Sequence, residues 1–263
     1  MNLKNWQNRV IDLAGTNFSI NPKLSVIANS VDYLNLEFAK ELKSSANSSV
    51  LEVGCGFQSV FRDALPQSII WEGIDVVESS VNGLKSIATK IASVGEIPFP
   101  NNQFDFALSN QSMEHWYEYE VSFHRALYEI NRVLKPNGKL ILNVPIQLHG
   151  HKLFVQSKFE EIEQIFKESG FNIEDVVAVI DTSLPNYEGW KKCGLPDFLL
   201  GANRELTSYC IEYRLVKSSE PKSKPKFQST KNRLSLFRRY QHYGPSFMIW
   251  KVFSKFSRSI KIK

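Results

Sequence analysis

Residues 50–59 read Val-Leu-Glu-Val-Gly-Cys-Gly-Phe-Gln-Ser, and this stretch is the strongest indication of the fold class. Its first four residues close a short apolar run that begins at Ser49 and is typical of a buried β-strand. Gly54 and Gly56 follow at once, and glycine lets a backbone turn tightly and approach a ligand closely. The stretch therefore predicts a strand that ends in a ligand-binding turn, at the edge where open α/β sheets bind their ligands.

Asp75 is the second feature of the same predicted site. It ends the next predicted strand, at residues 69–75, and an acid there can accept hydrogen bonds from both hydroxyls of a ribose. Ser59 stands where a dinucleotide fold would have its third glycine, and the Glu52 carboxylate beside the turn would repel a pyrophosphate. The pattern therefore favours a ligand that carries an ammonium group and no phosphates, as S-adenosylmethionine does.

Strand and helix patterns alternate along the rest of the chain. Further strands are predicted at residues 104–109, 139–144, 173–180 and 207–216, and helices at 31–42, 78–89, 121–134 and 159–169. Gly170 is placed to cap the last of these helices. Such alternation is typical of a parallel sheet that is covered by helices on both faces, so the predicted fold class is α/β with a doubly wound sheet.

The chain divides into four parts. We predict an N-terminal helical segment at residues 1–45, a ligand-binding domain at 46–216, a flexible linker at 217–232 and a basic amphipathic tail at 233–263. The linker is rich in Lys, Ser and Pro and has no apolar periodicity. Within the domain, residues 181–204 fit no regular element, and an insertion of this length is typical of a lid, a binding loop or a protomer contact.

The charge distribution and the cysteine content limit the class to which the protein can belong. The net charge is +5, but residues 217–263 hold 13 Lys or Arg against one acid, so the rest of the chain is acidic. The three cysteines share no metal-ligand spacing with one another or with a histidine, which predicts reduced thiols and no metal site. No stretch has the apolar length of a signal peptide core or a membrane span, so we expect a soluble, cytoplasmic protein.

Four further motifs occur in order along the domain: Glu96-Ile-Pro-Phe-Pro, Gln103-Phe-Asp-Phe, Ser109-Asn-Gln-Ser-Met-Glu-His and Arg132-Val-Leu-Lys-Pro-Asn-Gly. With the turn at residues 50–59 they resemble the successive motifs of class I S-adenosylmethionine-dependent methyltransferases. The resemblance covers residues 50–145 and is strongest to the small-molecule and glycan-modifying branch, with its methyltransferase type 11-like domain. It implies a Rossmann-like methyltransferase fold with a seven-stranded, mostly parallel sheet whose last strand is antiparallel.

The resemblance also implies which residues bind S-adenosylmethionine. The methionine end would lie against Glu52 and the turn Gly54, Cys55 and Gly56, and the ribose against Asp75. The adenine would lie between Val76 and the Ser93–Val94 segment, and the sulfonium would be covered by Ser109 and Asn110.

Two histidines are candidates for a general base that deprotonates a hydroxyl acceptor. His115 follows the predicted strand at residues 104–109, and His151, with His149 behind it, follows the strand at 139–144. An imidazole titrates near neutrality, which suits this role, although either histidine could instead pack within its loop. Glu114 could orient His115, and His124, beside an apolar helix stripe, is predicted to be structural.

Absent motifs narrow the acceptor. The sequence after the predicted strand at residues 104–109 is not the (D/N)-P-P-(Y/F) of amino-directed base methyltransferases, and no Pro-Cys pair offers a nucleophile for carbon-5 chemistry on pyrimidines. We therefore favour O-methylation of a saccharide or another small hydroxylated acceptor. Two alternatives stay open. One is an RNA methyltransferase that uses the basic tail. The other is a non-catalytic S-adenosylmethionine-binding protein, because the family usually has a small residue at the position of Gln58.

The basic tail at residues 233–263 contains the pattern of an amphipathic helix. After Gly244-Pro245, the apolar residues recur on one face of a predicted helix and the basic residues on the other. The apolar face contains Ile249, Val252, Phe253, Phe256 and Ile260, and the basic face contains Lys251, Lys255 and Arg258. This arrangement is typical of an interfacial helix on an anionic membrane and would make the protein peripheral at the inner face of the membrane. The pattern also suits docking on the chain's own domain or in a homodimer, and it favours single-stranded nucleic acid least.

Overall fold

The computed structural model describes residues 24–145, 151–155, 159–181, 190–194, 210–221 and 223–226. The predictions for residues 1–23, for His149, for most of the 181–204 insertion and for the whole 233–263 tail fall outside the described residues.

One mixed sheet organises the described chain. Its strands are β1 (Ser49–Val53), β2 (Ile70–Asp75), β3 (Lys90–Ile91), β4 (Phe104–Asn110), β5 (Leu134–Pro145), β6 (Phe171–Asp181), β7 (Trp190–Gly194) and β8 (Cys210–Lys217). Their spatial order is β3-β2-β1-β4-β5-β8-β6-β7. Strands β1 to β5 run parallel, whereas β8 is antiparallel to both of its neighbours, β5 and β6. The predicted mostly parallel sheet with an antiparallel last strand is confirmed.

Strand β7 is the difference from the predicted seven strands. It pairs antiparallel with the second half of β6, from Val177 to Asp181, and it comes from the 181–204 insertion, to which the sequence pattern assigned no regular element. Without β7, the outer edge of β6 would leave its backbone donors and acceptors unpaired by the sheet. The sheet therefore has eight strands in the described residues, seven of which follow the expected arrangement.

Helices cover both faces of the sheet. They are α1 (Leu24–Glu41), α2 (Val60–Ala64), α3 (Met113–Trp116), α4 (Phe123–Val133), α5 (Lys152–Val155) and α6 (Phe159–Glu168). Alternate strand residues point to opposite faces, so Val50, Leu108 and Ile141 pack with Phe38 of α1 and Phe61 of α2. The neighbouring residues Leu51, Ala107 and Leu140 pack with Leu127 of α4 and Phe166 of α6. The doubly wound prediction is thereby confirmed. In this described part of the chain, no helix is both long and apolar enough to cross a membrane.

The predicted helix at residues 78–89 is wrong. The chain there forms an irregular loop with a single bridge between Ser79 and Lys85 and a turn at Gly83, where φ is +79°. Serine hydroxyls compete with a helix for the backbone, since Ser80 Oγ accepts from Leu84 N and Ser86 Oγ donates to Gly56 O. The side chain of Val81 is fully exposed, so no apolar helix face is buried here.

The first part of the predicted flexible linker is held against α4. We call residues 218–221 and 223–226 the strap. The Lys217 ammonium donates to the carbonyls of Asn131 and Leu134, at 2.9 and 3.1 Å, where α4 ends. Asn131 Nδ2 donates to Ser219 O at 3.0 Å, and Arg125 Nη1, near the start of α4, donates to Pro225 O at 3.3 Å. Polar groups of α4 thus bind the strap backbone along the length of the helix.

Gly170 ends α6, as predicted, and also receives the strap. Its φ is +83°, its amide donates to Lys167 O, and its carbonyl accepts from the amides of Ser218 and Ser219. A Cβ atom at this position would collide with the carbonyl oxygen of Ser219. The close approach of the strap thus requires glycine here.

Replacing Gly170 by alanine tests this contact. Gly170→Ala should lower the free energy of unfolding by about 3 kcal/mol, because left-handed strain adds to the collision with Ser219. The matched control is Gly83→Ala, which has a similar φ of +79° and open space around the new methyl group, and should cost about 1 kcal/mol. Urea unfolding measures both, and equal losses would contradict the strap contact.

Candidate functional site

A cavity of about 370 Å³ opens at the carboxyl ends of β1, β2 and β4. Its walls come from the ends of these strands, from residues 92–94 after β3, and from α3 with the 3-10 turn Tyr117–Tyr119 that follows it. The volume lies at the small end of the range for ligand sites, roughly 300–1,000 Å³. The structure thus places a cavity for one small ligand where the sequence predicts the cofactor.

The turn after β1 forms the floor of this cavity. Gly54 and Gly56 both have positive φ, at +74° and +65°. A Cβ atom on Gly54 would lie 2.7 Å from the Cβ of Ser112, so glycine is needed where this turn meets the loop after β4. Gly56, by contrast, has open space around its Cα, which leaves room for a ligand to approach the backbone. Cys55 between them is buried and does not line the cavity.

Asp75 joins β2 to this turn and lines the cavity. One carboxylate oxygen accepts from the amide of Gly56 at 2.9 Å, and the other accepts from the amide of Val77 at 2.8 Å. An ionised carboxylate has about four lone-pair directions, so both oxygens retain capacity for a ligand's hydroxyl groups. The geometry is compatible with the predicted contact to a ribose.

Glu52 is directed into the protein. Its buried carboxylate accepts from the hydroxyl of Ser59 at 2.8 Å and from the indole of Trp71 at 2.9 Å, and it does not line the cavity. Ser59 also accepts from Arg62 N and so caps α2, which is the reason for a serine where a dinucleotide fold has glycine. Burial raises the pKa of Glu52 to about 7. In this structure Glu52 braces the turn from behind, whereas a direct contact with the methionine end was expected.

The loop after β4 forms the opposite wall. Ser109 is fully buried, and its hydroxyl lies 2.6 Å from that of Ser112, which in turn accepts from the indole of Trp116. Asn110 reaches the cavity, and its Oδ1 accepts from Asn143 Nδ2 at 2.9 Å. Of the two residues predicted to cover the sulfonium, Asn110 therefore faces the cavity and Ser109 supports the wall.

The residues predicted to flank the adenine lie together on one side of the cavity. Val76, Ser93 and Val94 all line the cavity, together with Ala92. Ser93 Oγ accepts from the amide of Gly95 at 3.1 Å, which fixes the turn that follows β3. This side of the cavity is mostly aliphatic, as the flat face of a base requires.

His115 lines the cavity between two buried carboxylates. Its side chain is 32% exposed, while its Nδ1 is buried and lies 3.4 Å from Glu118 Oε1. Its Nε2 lies 4.0 Å from Oε1 of Glu114, and burial raises the pKa of Glu114 to about 7. A carboxylate thus lies beside each ring nitrogen of His115, and the partly exposed side chain lines the cavity.

His151 lies behind this site and does not line it. The residue is buried, and its Nδ1 accepts from the amide of Leu153 at the start of α5. Its ring packs against Tyr117 and Phe123, with centroids 5.0 and 4.8 Å away, and its amide donates to Glu114 O. The geometry fits the loop-packing interpretation of His151 and leaves His115 as the histidine at the cavity.

Two other sequence-based expectations concern residues beside the site. Gln58 is exposed and does not line the cavity, so its side chain does not narrow the pocket. His124 Nε2 lies 2.8 Å from Glu168 Oε2 and connects α4 to α6, which agrees with a structural role.

Sequence reasoning missed a buried polar chain that supports Asn110. Asn143 in β5 lies between Asn110 and the fully buried Glu212 of β8, and Glu212 pairs with Arg214 at 2.8 Å. Arg214 reaches Glu41 at the end of α1, and the two carboxylates raise the pKa of the guanidinium. A signal was present, since Glu212 is an acid within the apolar run of residues 210–216.

The lining also includes residues that the prediction did not name. Gln111, Ser112, Trp116, Glu118 and Tyr119 all contribute. Gln111 has a positive φ of +45°, and its Nε2 is buried with no hydrogen-bond partner among the described residues. An unsatisfied buried donor in a cavity wall is costly, which indicates a ligand acceptor at this point.

The charge of the lining is acidic. Asp75 and Glu118 line the cavity, and among the described residues that form its walls there is no Lys or Arg. A ligand with phosphates would meet carboxylates without compensating bases, whereas a ligand with cationic groups would be attracted.

The part of the chain that forms the cavity is similar to a known protein family. The profile of a methyltransferase domain family matches residues 51–142, from β1 to β5, a stretch that includes Gly54, Asp75 and His115. The match covers the cavity and leaves the 181–204 insertion and the tail outside.

Individual proteins are also similar to parts of this chain. The chain is 36% identical over 80 residues to the uncharacterized protein YafE of Escherichia coli (strain K12), covering 30% of this chain and 36% of that protein. It is 26% identical over 173 residues to the O-methyltransferase resE of Aspergillus sclerotiorum, covering 57% of this chain and 64% of that protein. The chain thus spans less than two thirds of the length of either relative. A solved structure of the 1,6-didemethyltoxoflavin-N1-methyltransferase of Burkholderia thailandensis matches with a TM-score of 0.48 and 14% identity, over 72% of this chain and 79% of that one.

The buried Glu52 carboxyl should make stability depend on pH. Its pKa is about 7 in the folded state against an ordinary 4.5, so the folded state holds the proton more tightly. The resulting stabilisation is present below pH 4.5 and is lost as the pH rises through 7, an effect of about 3 kcal/mol. Glu52→Gln should flatten the fall in unfolding free energy between pH 5 and pH 8, measured by urea titration. The exposed Glu96→Gln is the control, and identical slopes in all three proteins would contradict the burial of Glu52.

Proposed function

We propose that this protein, whose residues 51–142 match the methyltransferase domain family, is an S-adenosylmethionine-dependent methyltransferase that methylates a hydroxyl group of a saccharide or another small acceptor. The acidic cavity at the carboxyl ends of β1, β2 and β4 carries the proposal. Its lining suits a ligand that bears ammonium and sulfonium groups and no phosphates.

The residues present fit S-adenosylmethionine. The turn after β1 lines the cavity at Gly54, and Asp75 retains acceptor capacity for two ribose hydroxyls. Val76 and Val94 offer aliphatic contacts to an adenine, and the buried Nε2 of Gln111 offers an unused donor. Of the ten residues predicted to contact the cofactor, we assign direct contact to the six that line the cavity, Gly54, Asp75, Val76, Ser93, Val94 and Asn110. Gly56 does not line the cavity and instead holds Asp75 through its amide. The other three, Glu52, Cys55 and Ser109, support the walls.

Methyl transfer to a hydroxyl group requires the protein to position the reacting atoms, to exclude water and to remove a proton from the acceptor. When bound, S-adenosylmethionine would supply an electrophilic methyl group on a sulfonium, whose C–S bond breaks to leave a neutral thioether as the methyl group passes to the acceptor oxygen. Asn110 and Ser112 fix the wall after β4, since their side chains bond to Asn143 and to Trp116. A wall held in this way keeps the reacting atoms aligned without reorganisation during the step.

His115 is the group that would take the proton of an acceptor hydroxyl. Its side chain lines the cavity and is 32% exposed. Glu118, 3.4 Å from the buried Nδ1, would favour a proton at that nitrogen, which would leave the lone pair on Nε2. As the imidazole accepts the proton it becomes a cation between Glu114 and Glu118, and both carboxylates stabilise that charge. This arrangement supports an oxygen acceptor, which needs a base.

The position of Gln58 weighs against the alternative of a non-catalytic binding protein. It depended on a side chain at position 58 that would obstruct the methionine pocket, and Gln58 is exposed outside the lining. The wall residues that a transfer reaction needs are present in the described cavity.

Calorimetric titration of S-adenosylmethionine tests the cofactor site. Wild type should bind, and Asp75→Ala should raise the Kd at least about tenfold, because it removes a charged acceptor for two hydroxyl groups. The control is Asp63→Ala, an exposed acid of α2 outside the cavity, which should bind as wild type does. Absence of binding to folded wild type would refute the proposed function.

Transfer of a labelled methyl group to a panel of mono- and oligosaccharides tests the base. On the saccharide that wild type methylates best, His115→Gln should lower kcat/KM by about 100-fold while the Kd for S-adenosylmethionine stays unchanged. His124→Gln, the histidine that joins α4 to α6, is the control and should keep full activity. An equal loss in both variants would assign His115 a structural role.

A further inference from the structure

Asn110 lines the cavity at the end of β4, and its side chain is hydrogen-bonded to Asn143 of β5. Asn143 Nδ2 donates to Asn110 Oδ1 at 2.9 Å and lies 3.5 Å from Glu212 Oε2. Asn143 Oδ1 is buried and has no hydrogen-bond partner among the described residues. The amino group of Asn143 is therefore directed toward Asn110 and Glu212, although this orientation leaves its carbonyl oxygen unpaired.

The charge of Glu212 explains the orientation of Asn143. Glu212 is fully buried in β8, and its Oε1 accepts from Arg214 Nε at 2.9 Å. A carboxylate that is paired with a guanidinium is ionised and can only accept hydrogen bonds. A carbonyl oxygen of Asn143 turned toward Glu212 would meet a negative charge in a buried place, so the amino group faces it instead.

The orientation of Asn143 in turn determines that of Asn110. Since Asn110 Oδ1 accepts from Asn143, the amino group of Asn110 forms the other branch of its side-chain amide, and no described residue accepts from that group. Gln111 is the next lining residue, and its buried Nε2 also has no hydrogen-bond partner in the described part of the chain. The wall after β4 therefore has amide donors that a ligand oxygen could satisfy.

The order of the strands indicates which part of the ligand meets these donors. Asp75 ends β2, and Ser93 and Val94 follow β3, so the contacts proposed for the ribose and the adenine lie on the β2–β3 side of the cavity. Asn110 ends β4, on the other side of β1, and this side remains for the methionine end. That end carries an α-carboxylate, and the described lining contains no Lys or Arg to pair with it. A neutral amide donor can bind a carboxylate without such a cation.

We propose that Glu212, through Asn143, orients the Asn110 amide so that its amino group binds the α-carboxylate of S-adenosylmethionine. Asn110 is the residue that contacts the ligand, and Asn143 and Glu212 are positioning residues. The inference rests on the proposed function and deepens it, because that function requires the cofactor but does not by itself assign a partner to the carboxylate.

Calorimetry with two ligands tests the contact of Asn110. The full chain is titrated with S-adenosylmethionine and with decarboxylated S-adenosylmethionine, which has the ammonium and sulfonium groups but no carboxylate. Asn110→Asp should raise the Kd for S-adenosylmethionine at least about tenfold, because an oxygen with negative charge replaces the donor that faces the carboxylate. The Kd for the decarboxylated ligand should not rise. An equal rise for both ligands would overturn the contact, since a general disturbance of the wall does not distinguish between them.

The positioning role is tested by combining changes. Glu212→Gln supplies an amino group that can donate to Asn143 Oδ1, so the Asn143 amide can turn, and the Kd for S-adenosylmethionine should rise about three- to fivefold. Asn143→Ala removes the link between Glu212 and Asn110 and should raise the same Kd by a similar factor. Glu212→Gln in the Asn110→Asp background should have no further effect, because the amino group on which it acts is absent. Effects that add in full would overturn the positioning role.

Glu174→Gln is the matched control. Glu174 forms an exposed ion pair with Lys139 of β5 at 2.7 Å and does not line the cavity, so both Kd values should stay as in wild type. Thermal unfolding confirms that each variant is folded. If wild type binds S-adenosylmethionine but Asn110→Asp does not distinguish the two ligands, the inference is overturned and the proposed function stands. If folded wild type binds neither ligand, the proposed function is refuted and the inference with it.

Discussion

The site depends on how the turn after β1 is tied to the strands on either side. The amides of Gly54 and Cys55 both donate to Ile74 O of β2, and the amide of Gly56 donates to Asp75. On the other side, Gly54 is in contact with the loop after β4 through Ser112. These contacts require positive φ and the absence of a side chain at Gly54. They fix the carboxyl ends of three parallel strands relative to one another, and the cavity is the space that remains between those ends.

Buried carboxyl groups give the site its electrostatic character. Glu52, Glu114, Glu118 and Glu212 are each almost fully withdrawn from water, and each lies behind or beside a cavity wall. Burial raises the pKa of Glu52 and Glu114 to about 7, whereas Glu212 is paired with Arg214. The first two can therefore be neutral near physiological pH, and a cation in the cavity or on His115 would draw them toward the charged form. Buried carboxyl groups around the cavity therefore favour a cationic ligand, and this attraction does not depend on an ion pair inside the cavity.

The strap lies along α4. Arg125 and Asn131 hold it by bonds to the backbone carbonyls of Pro225 and Ser219, so its course depends little on the identity of the strap's own side chains. This explains why a Lys-, Ser- and Pro-rich composition, which is typical of a flexible linker, occurs in a segment with a defined path. The donors that fix it lie about 90 residues earlier in the sequence.

Elements with local signals could be predicted from the amino-acid sequence alone. The strand ending in Gly54 and Gly56, the acid at the end of β2, the alternation of strands and helices, and His115 directly after β4 could all be read from neighbouring residues. The contacts of polar side chains and strand edges with distant parts of the chain depended on the tertiary structure. Ser80 and Ser86 could bond within a helix or to the β1 turn, Glu52 could face a ligand or Trp71, and the insertion formed β7 only because the edge of β6 was available. Periodicity tells which face of an element is apolar, but it carries no information on which distant donor or acceptor will meet a polar side chain. The roles of Glu52, His151 and the strap were therefore fixed only when the chain had folded.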